Sequence, residues 1–106
     1  MIQVRIYLDQ KTTLFKNLKK RGFIDCDYKN TLFIWLDLKP CIGELISIDS
    51  YCVDDKNFKT FLRNRNKDIV LRIIDLCQNY MMSKAEKEGI NVIHIKCVED
   101  ASVNWL

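Results

Sequence analysis

The sequence predicts an α+β fold, a small antiparallel sheet curled toward a partly open barrel with two short helices, in the order β-α-β-β-β-α-β-β. Three observations lead there. Apolar and polar residues alternate at the start of the chain and again further on; two intervening stretches change to helical spacing; and the junctions between them are short. With 106 residues, 48% of them hydrophobic, one proline and three glycines, the expectation is a single compact domain over residues 1–106. The same figures exclude a low-complexity or collagen-like chain.

The first strand rests on Ile2, Val4, Ile6 and Leu8 alternating with Gln3, Arg5 and Tyr7. A helix follows over Lys11 to Arg21. Leu14, Phe15 and Leu18 form its apolar side, Thr12 or Thr13 can accept amide hydrogen bonds at its start, and Gly22 can end it. Phe23 to Tyr28 and Thr31 to Leu38 are rich in aromatic and β-branched residues, and Lys29-Asn30 between them allows a tight turn, so a hairpin is expected. Pro40 and Gly43 break the chain before Glu44 to Ser50 alternates through Ile46 and Ile48, which predicts a further strand in the same antiparallel run.

Asp54 or Asp55 can cap the second helix, which carries Phe58, Phe61 and Leu62 on one stripe and Lys56, Lys59, Arg63 and Asn66 away from it. Residues 69–89 admit two readings. Ile69, Val70, Ile73, Ile74, Cys77, Tyr80 and Met81 fit a helical face, whereas the density of β-branched residues and the Glu88-Gly89 pair fit a strand and loop leading into a last strand, Ile90 to Val98. The short upstream strands favour the hairpin. Trp105 and Leu106 at the end can fold back as an anchor or offer a partner contact, and they or an exposed edge strand could support a homodimer.

Charge placement is the most informative feature for function. The formal net charge is only +3, yet Lys11 to Arg21 and Lys56 to Lys67 each hold five positive charges and no acid. Ten of the 17 basic residues therefore sit in the two helical segments, and the remaining seven stand against all 14 acids, a balance of −7. If both helices pack on one side of the sheet, Lys16, Lys19, Lys20, Lys56, Lys59 and Arg63 form a basic surface suited to an acidic protein partner. The same surface would fit the phosphates of a nucleic acid, the alternative reading. Phe33 and Trp35, with Tyr28 beside them, could stack on bases, but an aromatic pair on one strand face is more often sheet core.

Catalytic and cofactor signals are weak. Neither a phosphate-binding glycine loop nor a Gly-x-Ser-x-Gly or His-Glu-x-x-His pattern occurs. The five cysteines, at 26, 41, 52, 77 and 97, form no C-x-x-C pair, so reduced thiols are expected rather than a metal or disulfide framework. Asp25, Asp27 or Asp49 would have to converge with a third ligand and a phosphate path to hold magnesium, and His94, expected to be exposed opposite Ile93 and Ile95, would have to meet Cys77 or Cys97 to activate a thiol. A small metabolic or metal-dependent enzyme is accordingly the least favoured reading. No catalytic residue, metal ligand or cofactor is assigned. Asp9 interrupts the apolar start, and no long apolar run occurs, so a cytoplasmic protein with no membrane partner is expected.

Overall fold

A computed structural model describes residues 2–27, 29–65, 68–76 and 92–100. It shows the expected α+β architecture and element order: β1 (Ile2–Tyr7), α1 (Thr13–Lys20), β2 (Ile24–Asp25), β3 (Thr31–Leu36), β4 (Leu45–Ile48), α2 (Lys56–Asn64), β5 (Ile69–Leu76) and β6 (Val92–Glu99). The strands form one sheet in the order β2-β3-β1-β6-β5-β4. All neighbours are antiparallel except the central pair, β1 and β6, which run parallel with Val4 opposite Ile93 and Ile6 opposite Ile95. The sheet is therefore mixed, and its centre joins the first strand to the last.

Two features differ from a simple antiparallel run. The β2–β3 connection occupies residues 26–30, longer than a tight turn, with Lys29 and Asn30 both at positive φ (54° and 55°). Asparagine tolerates that geometry through its short polar side chain, whereas lysine adopts it less readily. Strand β4, moreover, does not continue beside β3. It lies at the opposite edge, where Ile46 and Ile48 pair with Leu71 and Ile69 of β5. The excursion runs through residues 37–44, where Pro40 cannot donate to a ladder and Gly43 takes a positive φ of 90°.

The sheet curls but does not close. In a flat sheet, the four strand spacings from β4 to β3 would amount to about 19 Å. Cys52 lies only four residue steps past Ile48, a reach of at most about 14 Å, yet the Trp35 amide on β3 donates to the Cys52 carbonyl at 2.7 Å. Curvature brings the two edge regions within the reach of one short segment.

Both helices cover the same face. Register places Ile24, Leu32, Ile34, Val4, Ile6, Ile95, Cys97, Ile73, Leu71, Ile69, Ile46 and Ile48 on one side of the sheet, and these join Leu14, Phe15 and Leu18 of α1 and Phe58 of α2 in a single core cluster. Strand β5 bulges at Ile74, so that Ile73 meets Cys97 but Asp75 meets Lys96. The extra residue puts Ile73 and Leu76 on the core side although they are three apart, a spacing that otherwise signals a helix.

The ambiguous stretch thus begins as a strand, Ile69–Leu76, that pairs antiparallel with β6. Residues 77–91, including the rest of the helical alternative, lie outside the described residues, as do Tyr28, Trp105 and Leu106. Among the described residues, no helix is long and apolar enough to cross a membrane.

Candidate binding surface

Helix α1 is delimited by local chemistry. The Thr12 hydroxyl accepts from the Phe15 amide at 3.2 Å and donates to the Asp9 carbonyl at 2.8 Å, which settles the choice between Thr12 and Thr13 as the cap. At the other end, Gly22 at φ 81° lets its own amide reach the Lys19 carbonyl and the Phe23 amide reach the Leu18 carbonyl, at 3.0 and 2.9 Å. This paired closure ends the helix and turns Phe23 back onto the core. Phe23 stacks on Phe58 with ring centroids 4.3 Å apart and planes within 3° of parallel.

Helix α2 begins at Asp55, whose carboxylate accepts from the amides of Asn57 and Phe58 at 2.7 and 3.0 Å. Asp54, the other candidate cap, instead accepts from the Trp35 indole at 2.8 Å. Phe58 is buried, and Phe61 and Leu62 are half-buried against the core, as the stripe predicts.

The predicted basic residues fall on the outward sides of these helices. Lys16, Lys19 and Lys20 are exposed on α1, and Lys56 and Arg63 are exposed on α2. Lys59 is half-buried: it borders a hollow of about 410 Å³ with Trp35, Tyr51, Val53 and Asp54. None of the six makes an ion pair with another described residue; the salt bridges between described residues are Arg5–Asp25 and Arg72–Asp100. The lysines of α1 and the stripe of α2 share a sheet face. The place where the two helices meet is built by other residues.

That meeting place is a cleft of about 580 Å³, with Arg21 and Phe23 from the end of α1 facing Asn57, Phe61, Asn64 and Arg65 of α2 and its cap. The guanidinium carbon of Arg21 lies 4.6 Å from the centre of the Phe61 ring, and that of Arg65 lies 5.5 Å from it. Arg21 and Arg65 were visible in the sequence as members of acid-free runs. Periodicity could not pair them, because they meet only where the end of α1 packs beside α2.

Phe33 and Trp35 are placed differently from the core position expected of them. They lie half-buried on the face away from the core cluster, edge to face at 5.5 Å. Arg5 lies 4.6 Å over Phe33 and bridges to Asp25 at 2.8 Å, so its side chain ties β1 to β2 across β3. Trp35, but not Phe33, reaches the basic set through the hollow beside Lys59.

The catalytic alternatives find different surroundings from those they require. His94 does point away from Ile93 and Ile95, but it is 1% exposed rather than open to solvent, and its Nδ1 lies 3.0 Å from the Tyr7 hydroxyl. Cys97 belongs to the opposite face of the same strand, in the core cluster, so strand geometry separates it from His94. Cys77 is outside the described residues. Asp25 is engaged by Arg5 and the Asp27 amide, and Asp49 by the Tyr51 amide and the Cys52 thiol. No group of three or more metal-ligating side chains converges among the described residues.

No disulfide joins Cys26, Cys41, Cys52 or Cys97. Hydrogen bonding and charge from Glu44 push the Cys41 thiol up, and burial does the same at Cys52. Both shifts oppose the thiolate that nucleophilic chemistry needs.

No family model matches the chain, and no curated protein or solved structure matches it.

Proposed function

We propose that this is a small non-catalytic binding protein whose basic helical face contacts an acidic protein partner, with Lys16, Lys19, Lys20, Lys56, Lys59 and Arg63 supplying electrostatic complementarity. The supporting observation is that two acid-free helices cover one sheet face and keep these cations out of ion pairs with other described residues. Spread along two helices, such charges steer encounter and orientation more than they add affinity, so binding should weaken as salt rises.

The test begins with partners cross-linked to the wild-type chain in cells and identified by mass spectrometry. Binding of the purified partner is then compared between wild type and a variant carrying Lys16, Lys20, Lys56, Lys59 and Arg63→Glu. A loss of about tenfold or more, with the variant's amide spectrum still native, is the expected result. Unchanged affinity in the folded variant would reject the surface.

The hollow where Lys59 sits beside half-buried Trp35 and the 82%-exposed Tyr51, with Asp54 held by the Trp35 indole, favours nucleic acid as a second reading, because a cation beside aromatic rings suits a phosphate and a base together. Fluorescence titration with single- and double-stranded DNA and RNA at two salt concentrations separates the two. Salt-sensitive binding that fails in a Lys59→Gln, Tyr51→Ala variant would replace the first reading, and no binding to any of them removes the second.

A further inference from the structure

The cleft between the helices has a chemistry of its own. Arg21 and Arg65 are both drawn to one aromatic ring, and the cleft they border carries two side-chain amides, Asn57 and Asn64, and no carboxylate among the described residues. Guanidinium groups keep their charge at any ordinary pH and present N–H donors in a planar fork. At Arg21, the contact with the ring face engages the π-system and leaves in-plane donors for another acceptor. Arg21 makes no side-chain hydrogen bond to another described residue.

Charge and donor number select the ligand. A carboxylate brings one negative charge and two oxygens, which a single guanidinium already satisfies. A phosphate monoester brings nearly two charges and three strong acceptor oxygens, a match for two guanidiniums with amide donors beside them. Phe23 and Phe61 offer the ester's organic part an apolar wall, and the cleft's volume falls within the ordinary range for a small ligand. Ring contacts also restrain both guanidiniums before binding, which lowers the ordering cost.

We propose that the Arg21–Phe61–Arg65 cleft binds the dianion of a free phosphate monoester, each arginine holding phosphate oxygens while the aromatic wall carries the organic group. This site is separate from the lysine face and does not depend on an acidic partner.

Amide spectra of the full chain titrated with phenyl phosphate, glycerol phosphate, inorganic phosphate and phenyl sulfate test it. Phenyl sulfate has the shape of phenyl phosphate with a single charge. Saturable shifts centred on Arg21, Asn57, Phe61 and Arg65 are expected with both phosphate esters, phenyl phosphate being the tighter, and phenyl sulfate should bind about tenfold more weakly. Arg21→Gln and Arg65→Gln should each weaken phenyl phosphate by about tenfold, while a Lys39→Gln control, at an exposed lysine outside the cleft, stays within about twofold. Should Arg21→Gln fail to fold, Arg21→Lys keeps the charge and is expected to lose affinity through the missing fork.

Four results would overturn the site: no saturable shift with either ester, equal affinity for phenyl sulfate, binding of inorganic phosphate alone, or an equal loss in the lysine control.

Discussion

Tyr7 and His94 show what a single residue's neighbours can add to a pattern. Alternation along Ile93-His94-Ile95 assigns the histidine to the face away from the isoleucines, and the structure agrees. Alternation says nothing about what covers that face. There His94 is buried beside Tyr7, whose hydroxyl meets Nδ1 at 3.0 Å. Tyr7→Phe removes that hydroxyl while keeping the ring, and should destabilise the fold by about 1–3 kcal/mol, the usual effect of depriving a buried polar atom of a partner. Urea unfolding measures it; an unchanged midpoint would mean that the contact contributes nothing. Arg21 illustrates the same limit among the binding residues. Its charge was legible, but its position over Phe61 depends on a second helix more than thirty positions away in the sequence.

The helices were the most legible elements because their ends are local chemistry. Thr12, Asp55 and Gly22 each act within three or four residues of themselves, so composition and order name Gly22 and narrow each cap to two neighbours, Thr12 or Thr13 and Asp54 or Asp55. Strand β5 was the least legible. Ile69, Val70 and Leu71 are buried in succession, on both faces, which erases the polar–apolar alternation, and the bulge at Ile74 then imposes a three-residue step. A strand with those two features carries the same binary pattern as a buried helix. Strand β4 was legible as a strand but not in its place, since its partner, β5, follows it only after α2. For α1, the prediction concerns its end. A Cβ at Gly22 would meet nothing within 4 Å, so Gly22→Ala introduces no clash and its cost is purely that of a positive φ. A loss of about 1–2 kcal/mol is expected, readable as a lower urea midpoint. Because the same turn sets Phe23 on Phe58, the amides of Phe23 and Phe58 should shift as well. A variant as stable as wild type would show that the left-handed turn is not needed to close the helix.

The central β1–β6 pair determines how the molecule must hold together. Its partners come from opposite ends of the described chain, yet Val4 and Ile6 lie opposite Ile93 and Ile95 in register, and Val4, Ile6 and Ile95 are fully buried. The first 65 residues contain β1, both helices and the β2–β3 hairpin, but they lack the strand that pairs with one side of β1 and the strand that pairs with β4. Residues 66–106 contain the complementary pair, β5 and β6, without either helix to cover Ile69, Leu71, Ile73 and Ile95. Each fragment would therefore expose to water the apolar side chains that the other covers, at about 25 cal/mol per Å², against the undiminished cost of ordering its own backbone. Separately expressed fragments 1–65 and 66–106 should each give collapsed amide spectra and unfold without a cooperative transition. Mixed together, they should recover dispersed resonances, because β6 can enter beside β1 without any covalent link. A dispersed spectrum and cooperative unfolding from fragment 1–65 alone would show that the chain holds an independent unit ahead of β5, and that the expected single domain over residues 1–106 is wrong.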